Sequence, residues 1–299
     1  MDATDVPDPA TVLAAVGMPE ASRAEPVGGG ADAIIWRVKL AGRSYALRLL
    51  RPDQAGQARR ESAALAAAAA AGLPVPLVVA AGSWQDRPAL VLAWSPGRPL
   101  GDVLHERPLD LRRARALGVA FGRVQVAIHA LPAPDALRAH PEPWEAWAGP
   151  DPALRACLAA LPVRPPALVH LDYHPLNVLV EGGQVTAVLD WANARTGDPR
   201  ADVARTLSIL RLAPLPAGAA GAFAWVVRRA FEAGWRRGYR QAVGPLGGLA
   251  PFCWWAGLVM ERDLAPRLGR ADLPWLTPAF LDRVRCWTAG WRARAEGRA

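Results

Sequence analysis

Between residues 170 and 202 the sequence concentrates polar side chains that could handle a phosphate and a metal ion. Asp172 and Asn177 lie five residues apart on one predicted loop, and Asp190 ends the strand that follows. Two short apolar runs around a Gly-Gly turn predict a β-hairpin between Asn177 and Asp190. That hairpin would bring the two side chains to the same point. An amide oxygen and a carboxylate there suit a hard divalent cation such as Mg²⁺.

Asp172 precedes this pair and could lie beside the cation without binding it. It would then be free to orient or deprotonate a hydroxyl group. This is the layout of phosphoryl transfer, in which catalysis is mostly positioning and charge stabilisation. Each of these residues alone would be an ordinary loop residue, because Asp and Asn favour turns. It is their combined spacing that favours the functional interpretation.

Two motifs occur in order and carry a resemblance to a known family. Residues 170–179 read HLDYHPLNVL, and residues 190–204 read DWANARTGDPRADVA. They resemble the H-x-D-x-H-P-x-N-x-L and D-W…G-D-P-x-x-D-x-A segments of the aminoglycoside phosphotransferase and choline kinase-like family. The resemblance implies an α+β, protein kinase-like bilobal fold. Residues 1–94 would form a nucleotide-binding lobe, a small antiparallel sheet with one helix, and 95–299 a larger, mostly helical lobe for catalysis and substrate binding.

The resemblance extends into the first lobe, whose residues would meet the nucleotide, ATP or GTP. The segment YALRLLRP resembles the strand that presents Lys or Arg to the phosphates, here Arg48, and Glu61 on the following helix would pair with it. Arginine at this position carries a forked, permanent charge. The loop expected to cover the phosphates contains Gly28, Gly29 and Gly30. The hinge expected to meet adenine through its backbone contains Ala93, Trp94 and Ser95.

The resemblance also implies roles around the catalytic loop. Asp172 would be the base, and Asn177 and Asp190 would hold Mg²⁺. We expect His170 and Asp202 to support the loop. Asp198 should cap the helix that begins at the following proline.

The acceptor is expected to be a hydroxyl group of a small molecule: an aminoglycoside, another antibiotic, an amino alcohol or a sugar-like compound. A polycationic aminoglycoside requires several carboxylates. The chain offers few of them beyond residue 250, and its last segment, RVRCWTAGWRARAEGRA, carries five arginines. An aminoglycoside is therefore not specifically indicated. The candidate acceptor contacts are His174, Trp191, Glu261 and Asp263.

The elements that must position these residues follow from the apolar patterning. We predict hairpins at 34–50 and 178–189, and further strands in the segments 73–82 and 87–94. Predicted helices cover 8–17, 53–71, 109–131, 153–161, 199–211, 217–242, 247–264 and 277–296. Most of the 13 tryptophans are expected to pack between these helices, and a minority could line the acceptor pocket.

Composition narrows the alternatives. A chain of 299 residues with 52% hydrophobic and 21% charged residues is globular. The apolar segment 65–82 is broken by glycine and prolines, so we expect no membrane span, and the acidic start does not resemble a signal peptide. Three widely spaced cysteines form no metal or disulfide pattern, which predicts a reduced cytoplasm with each cysteine a small buried hydrophobe.

Two other functions remain open. The chain could be a non-catalytic nucleotide-binding module of the same fold. It could also bind nucleic acid, because its formal charge is +8. The arginines are scattered and no recognition motif accompanies them, so we do not expect nucleic-acid binding. The oligomeric state is not predicted.

Overall fold

The computed structural model describes residues 7–28, 33–106, 110–139, 142–216 and 218–298. The first part is an antiparallel sheet in the order β1-β2-β3-β5-β4. Its strands are β1 (Arg23–Pro26), β2 (Ala33–Leu40), β3 (Arg43–Leu50), β4 (Val78–Trp84) and β5 (Arg87–Ala93). Two helices accompany the sheet, α1 (Pro9–Ala15) and α2 (Ala55–Ala70).

Apolar and charged residues alternate along the second half of β2, which explains why this segment forms a half-buried strand. Trp36 and Val38 are buried, whereas Arg37 and Lys39 are exposed. The hairpin register places Ile35 opposite Arg48 on β3. Arg48 therefore lies on β3, the middle strand of the sheet, between β2 and β5.

The second part is mostly helical. Its helices are α3 (Leu100–His105), α4 (Leu111–His129), α5 (Asp135–Arg138), α6 (Pro152–Ala159), α7 (Pro199–Leu212), α8 (Gly218–Val243), α9 (Leu249–Leu264) and α10 (Pro278–Ala295). Five short strands lie among them: β6 (Arg98–Pro99), β7 (Ala167–Val169), β8 (Val178–Glu181), β9 (Gln184–Val188) and β10 (Arg195–Gly197). Antiparallel pairs join β7 with β10, β6 with β8, and β8 with β9.

Helices α4 and α8 pack through reciprocal glycines. A Cβ atom added at Gly118 or Gly122 would lie 2.1 or 2.4 Å from a carbonyl oxygen of α8. Likewise, one added at Gly234 or Gly238 would lie 2.0 or 2.3 Å from a carbonyl oxygen of α4. The backbones approach so closely that only glycine fits at these four positions.

The predicted α+β fold class is confirmed, with the antiparallel sheet first and the larger helical part after it. The main core lies in the second part and extends to α2, so one continuous apolar interior joins the two. Among the residues described, no helix has both the length and the apolar character that a membrane span requires.

The cysteines only partly follow the expectation that each is a buried hydrophobe. Cys253 is buried, and burial raises the pKa of its thiol to about 12, which leaves it unreactive at neutral pH. Cys157 is half-buried. The prediction is wrong for Cys286, which is exposed on the outer face of α10.

Candidate active site

The loop that follows β7 is held from behind by helix α7. Leu171 has a left-handed backbone conformation, with φ of +60°, which is unfavourable for a leucine. Its N–H donates to Asp202 Oδ1 at 2.5 Å, and its carbonyl accepts from Arg205 Nε at 3.2 Å. One turn further along α7, Thr206 donates to the carbonyl of Tyr173 at 2.8 Å. These three contacts over-determine the loop conformation.

Asp202 is itself the centre of a buried polar network. Its Oδ2 lies 2.8 Å from His129 Nε2 and accepts from Gln125 Nε2 at 3.0 Å. The other ring nitrogen of His129 lies 2.7 Å from the hydroxyl of Tyr239. Burial alone would raise the pKa of Asp202, but the hydrogen bond and charge of His129 hold it below its ordinary value.

Sequence reasoning missed part of this network. Nothing in the sequence around His129 marks it as functional, yet its side chain is almost fully buried and paired with Asp202. The pair is 73 residues apart in the chain. Helical spacing could not have revealed it, because it forms only when α4 packs beside α7.

Asp172 projects from the supported loop and remains partly open, with 22% of its side chain exposed. Asn177 Nδ2 donates to both the carbonyl and Oδ2 of Asp172, at 3.0 and 3.2 Å. His174 Nε2 lies 3.7 Å from Asp172 Oδ1. Burial by itself would raise the pKa of Asp172, but the hydrogen bond and charge of His174, and the charge of Arg205, lower it to about 2. The carboxylate is therefore ionised at neutral pH.

The β8–β9 hairpin brings Asn177 and Asp190 to the same end. Val178 pairs with Val188, and beyond that pair the N–H of Leu189 donates to the carbonyl of Asn177 at 2.7 Å. Asp190 follows in a left-handed conformation, with φ of +58°, and is exposed.

His170 links the loop to this hairpin. Its Nδ1 accepts from the N–H of Asp172 at 3.3 Å, and its Nε2 donates to the carbonyl of Leu189 at 3.0 Å. One buried imidazole thus ties the backbone next to Asp190 to the backbone of Asp172.

The donor set at this end fits a magnesium ion that is completed by phosphate oxygens. Both hydrogen bonds from the Asn177 side chain use its nitrogen, so its Oδ1 is left as an oxygen ligand beside the Asp190 carboxylate. In the described part of the chain, no group of three or more His, Cys, Asp or Glu side chains could hold a metal by itself. Mg²⁺ commonly takes one or two protein ligands and completes its shell with water and substrate phosphates.

Arg48 and Glu61 face this point from the sheet and α2. They form an ion pair through Arg48 NH1 and Glu61 Oε1. Burial would lower the pKa of Arg48, but the negative charges of Glu61 and Asp190 outweigh it and raise the pKa. Arg48 Nε and Glu61 Oε2 are buried without hydrogen-bond partners in the described structure. A guanidinium group near Asp190 is suited to pair with a nucleotide phosphate.

The nucleotide loop and hinge are described in part. Gly28 is exposed with open space around it, whereas the predicted positions Gly29 and Gly30 lie outside the described residues. In the hinge, the N–H of Ala93 donates to Leu77 and that of Trp94 donates to Ser44. Ser95 follows in the irregular segment that leaves β5.

The candidate acceptor residues separate into different environments. Trp191 is only 1% exposed and donates to the carbonyl of Val188, so the expectation that it could meet an acceptor is wrong. Glu261 pairs with Arg285 on α10 at 2.6 Å, so its carboxylate is already engaged.

Asp263 and His174 remain close to Asp172. Asp263 is 53% exposed on its side chain and lies 3.7 Å from Arg205. Its pKa is raised by burial, and the charge of Asp172 adds to the effect, whereas Arg205 opposes it. His174 Nδ1 accepts from the N–H of Leu176 and caps the short turn Pro175–Asn177.

Asp198 begins α7 as predicted. Its carboxylate accepts from the N–H of Arg200 at 2.8 Å, with a proline at the first helical position. It also pairs with the Arg200 side chain at 2.6 Å. Asp198 thus fixes the start of the helix that carries Asp202 and Arg205.

Similarity to solved structures covers nearly the whole chain. A candidate aminoglycoside phosphotransferase from Ralstonia eutropha JMP134 is 20% identical with a TM-score of 0.71, over 97% of this chain and 98% of that one. The aminoglycoside phosphotransferase APH(4)-Ia, as a thermostable mutant bound to AMP-PNP and hygromycin B, is 20% identical with a TM-score of 0.58, over 96% of each chain. The amicoumacin kinase hAmiN, bound to AMP-PNP, Ca²⁺ and Ami, is 16% identical with a TM-score of 0.61, over 92% of this chain and 88% of that one. At these identities the likeness shows the shared fold.

The family is shown by the sequence itself. No curated protein sequence matches the chain significantly. The model of the phosphotransferase enzyme family, APH, matches residues 23–153 and 144–255, which together are well over half of the chain. The matched ranges contain Arg48, the loop with Asp172, and Asp190. The chain therefore belongs to the phosphotransferase enzyme family and is a small-molecule kinase.

Proposed function

We propose that the protein transfers the γ-phosphoryl group of ATP or GTP to a hydroxyl group of a small molecule in the cytoplasm. One observation carries this proposal: Asp172, Asn177, Asp190 and Arg48 converge from a loop, a hairpin and the sheet onto one exposed point. Phosphoryl transfer needs this set of groups, because it depends on positioning and charge stabilisation.

Asp172 is assigned to the acceptor hydroxyl. Its pKa of about 2 keeps the carboxylate ionised, so it accepts a hydrogen bond from the hydroxyl and orients the oxygen for attack. The two hydrogen bonds from Asn177 limit the directions in which the carboxylate can face. The supports from Asp202 and His170 hold the backbone on either side.

Asn177 Oδ1 and the Asp190 carboxylate would hold Mg²⁺, which neutralises charge on the nucleotide phosphates when bound. Arg48, held by Glu61, would pair with a phosphate oxygen through its guanidinium group. The hinge residues 93–95 would meet the base through backbone groups. The enzyme-bound nucleotides in the neighbouring structures are AMP-PNP and, in one mutant complex, ADP, which supports this assignment.

For the acceptor, the neighbourhood of Asp172 contains one half-exposed carboxylate, Asp263, together with Arg205. The neighbouring structures of APH(4)-Ia and hAmiN contain hygromycin B and Ami, respectively. A single carboxylate that already pairs with Arg205 is a small set for a polycation. We therefore propose a small hydroxyl compound of low positive charge, with His174 and Asp263 at its binding site.

The test is a transfer assay over aminoglycosides, macrolides, choline, homoserine and ketosamines with ATP and GTP. In the wild type we expect phosphate transfer to one of these classes. Asp172→Asn should lower kcat by a factor of about 10² or more while nucleotide binding persists. Asp272→Asn, on an exposed pair far from the loop in sequence, is the matched control and should retain activity.

Turnover that survives in Asp172→Asn would show that the assigned hydroxyl-orienting group is wrong. Nucleotide binding without transfer to any acceptor, in the wild type, would favour the non-catalytic nucleotide-binding module instead.

A further inference from the structure

A side-chain hydrogen bond links the hairpin that carries the candidate metal ligands to the hinge. The hydroxyl of Thr186, on β9, donates to the carbonyl of Pro96 at 2.6 Å. Pro96 directly follows the hinge residues 93–95. Asp190 comes four residues after Thr186, so their backbones are at most about 14 Å apart. A short stretch of chain therefore connects the segment expected to meet the base with a residue expected to hold the metal.

The backbone at Gly97 shows how closely the end of the hinge approaches this hairpin. Gly97 has a φ of +102°, which favours glycine. A Cβ atom added there would lie 2.8 Å from both Thr186 Oγ1 and the carbonyl oxygen of Val180. The two residues that follow form β6, which pairs with β8. The contact that Thr186 makes with Pro96 is thus part of a continuous close approach between the hinge and the hairpin.

A second hydrogen bond ties β9 to the first part of the molecule. The N–H of Val188 donates to the carbonyl of Pro74 at 2.7 Å. Pro74 lies between α2 and β4, whereas Pro96 follows β5. Strand β9 is therefore bonded to the chain both before and after the β4–β5 hairpin. Two such bonds, two residues apart on one strand, restrict how the β8–β9 hairpin can shift relative to the hinge.

We propose that Thr186 is a positioning residue for the nucleotide, because its hydrogen bond to Pro96 sets the distance between the hinge and the metal-binding end of the hairpin. The inference rests on the proposed function, in which residues 93–95 meet the base and Asp190 holds the metal at the phosphates. A nucleotide must reach both ends at once, so a fixed separation lowers the ordering cost of binding. Thr186 acts through the carbonyl of Pro96 and not through a contact with the nucleotide.

Calorimetric binding of three ligands to Thr186→Val tests the proposal. Valine keeps the branched shape and strand propensity of threonine but removes the hydroxyl donor. We expect AMP-PNP with Mg²⁺ to bind about 2- to 10-fold more weakly, as for the loss of one hydrogen bond. Adenosine reaches only the hinge, and tripolyphosphate with Mg²⁺ reaches only the metal end, so both should bind as they do to the wild type. If the wild type prefers guanine, GMP-PNP and guanosine take the place of the adenine ligands.

Two further variants separate positioning from stability. Thr186→Ser keeps a hydroxyl on β9 and should bind AMP-PNP like the wild type. Thr277→Val is the matched control, because it removes the threonine hydroxyl that accepts from the N–H of Phe280 at 3.2 Å and caps α10. It should lower the Tm while leaving the affinity for AMP-PNP unchanged. In the transfer assay, Thr186→Val should raise the KM for the nucleotide and leave the KM for the acceptor unchanged.

Equal binding of AMP-PNP by the wild type and Thr186→Val would overturn this role of Thr186 and leave the proposed function intact. An equal loss of affinity for AMP-PNP and for adenosine or tripolyphosphate would also overturn it, because the hydroxyl would then affect one end of the site alone. The same is true if Thr186→Ser binds as weakly as Thr186→Val. A wild type that binds neither AMP-PNP nor GMP-PNP would overturn the proposed function, and this inference with it.

Discussion

Asp202 shows how much depends on one buried carboxylate. It accepts from the loop N–H of Leu171, from Gln125 and from His129, and thus links α7, α4 and the catalytic loop. Replacing it by alanine would leave these buried groups without their acceptor. The loss of one partner from a buried, charged network costs about 3–5 kcal/mol. We therefore expect Asp202→Ala to unfold at a much lower urea concentration than the wild type.

The control for this residue is an acidic side chain in an exposed pair. Asp272 pairs with Arg270, and both are mostly exposed. Exposed pairs contribute little, because water and salt screen them. Asp272→Ala should leave the urea midpoint unchanged. If Asp202→Ala were as stable as Asp272→Ala, the network around Asp202 would not support the loop as described.

Among the elements, the α4–α8 contact depends on glycine. A Cβ at Gly122 would lie 2.4 Å from the carbonyl oxygen of Trp235, and neither backbone can move without shifting a helix. We expect Gly122→Ala to destabilise the protein by about 2–3 kcal/mol, as overpacking does. Urea unfolding monitored by tryptophan fluorescence measures this loss.

Replacing a different helical glycine by alanine should have the opposite effect on the stability of the protein. Gly290 on α10 has only the tip of Arg294 near its added Cβ, at 3.5 Å. Alanine there removes the helix penalty of glycine, so Gly290→Ala should stabilise the protein by about 0.5–1 kcal/mol. Destabilisation by both variants to a similar extent would contradict the close-approach explanation.

Glu232 on α8 links its own helix to α7 and gives the stability a pH dependence. Burial would raise its pKa, but hydrogen bonds from Arg211 and Arg236 lower it below the ordinary value. Its stabilising effect is complete above the unfolded pKa, about 4.3, and is lost as pH falls through the lower folded value. We expect Glu232→Gln to have a lower Tm than the wild type at pH 7. The difference should shrink as pH falls below about 4, and a constant difference would exclude this linkage.

The sequence predicts the long elements well, because their apolar periodicity is local. The helices α4, α7, α8, α9 and α10 and both hairpins lie within a few residues of their predicted ranges. The sequence does not predict the shortest strands, which are β1, β6, β7 and β10. Runs of two to four residues show no hydrophobic periodicity and form only by tertiary pairing. Helix α3, with six residues, is not predicted for the same reason.

The candidate site divides in a similar way. The proximity of Asp172, Asn177 and Asp190 can be predicted from the sequence, because one loop and one hairpin bring them together. The supports from His129 and Gln125 on α4 are not, because they depend on how helices pack. The burial of Trp191 and the pairing of Glu261 with Arg285 are likewise tertiary events.

At the scale of the whole molecule, the groups that would hold the nucleotide are divided between its two parts. Arg48 and Glu61 belong to the sheet and α2, whereas Asn177 and Asp190 belong to the hairpin of the helical part. The proposed boundary between lobes, at residues 94 and 95, passes between these sets. A nucleotide with its metal ion would therefore bridge the two parts rather than bind one of them.

If the nucleotide bridges the two parts through its metal ion, the rise in Tm that it causes should depend on that ion. We expect AMP-PNP with Mg²⁺ to raise the Tm by several degrees, because ligand bound only to the folded state stabilises it by mass action. Chelation by EDTA, or the variant Asp190→Asn, should remove most of the shift, since the phosphates then lose their contact with the hairpin. Gly290→Ala, on a helix that the site does not use, should respond to AMP-PNP like the wild type. An equal shift with and without Mg²⁺ would mean that the nucleotide is held by the sheet and hinge alone, and that Asn177 and Asp190 do not hold a metal.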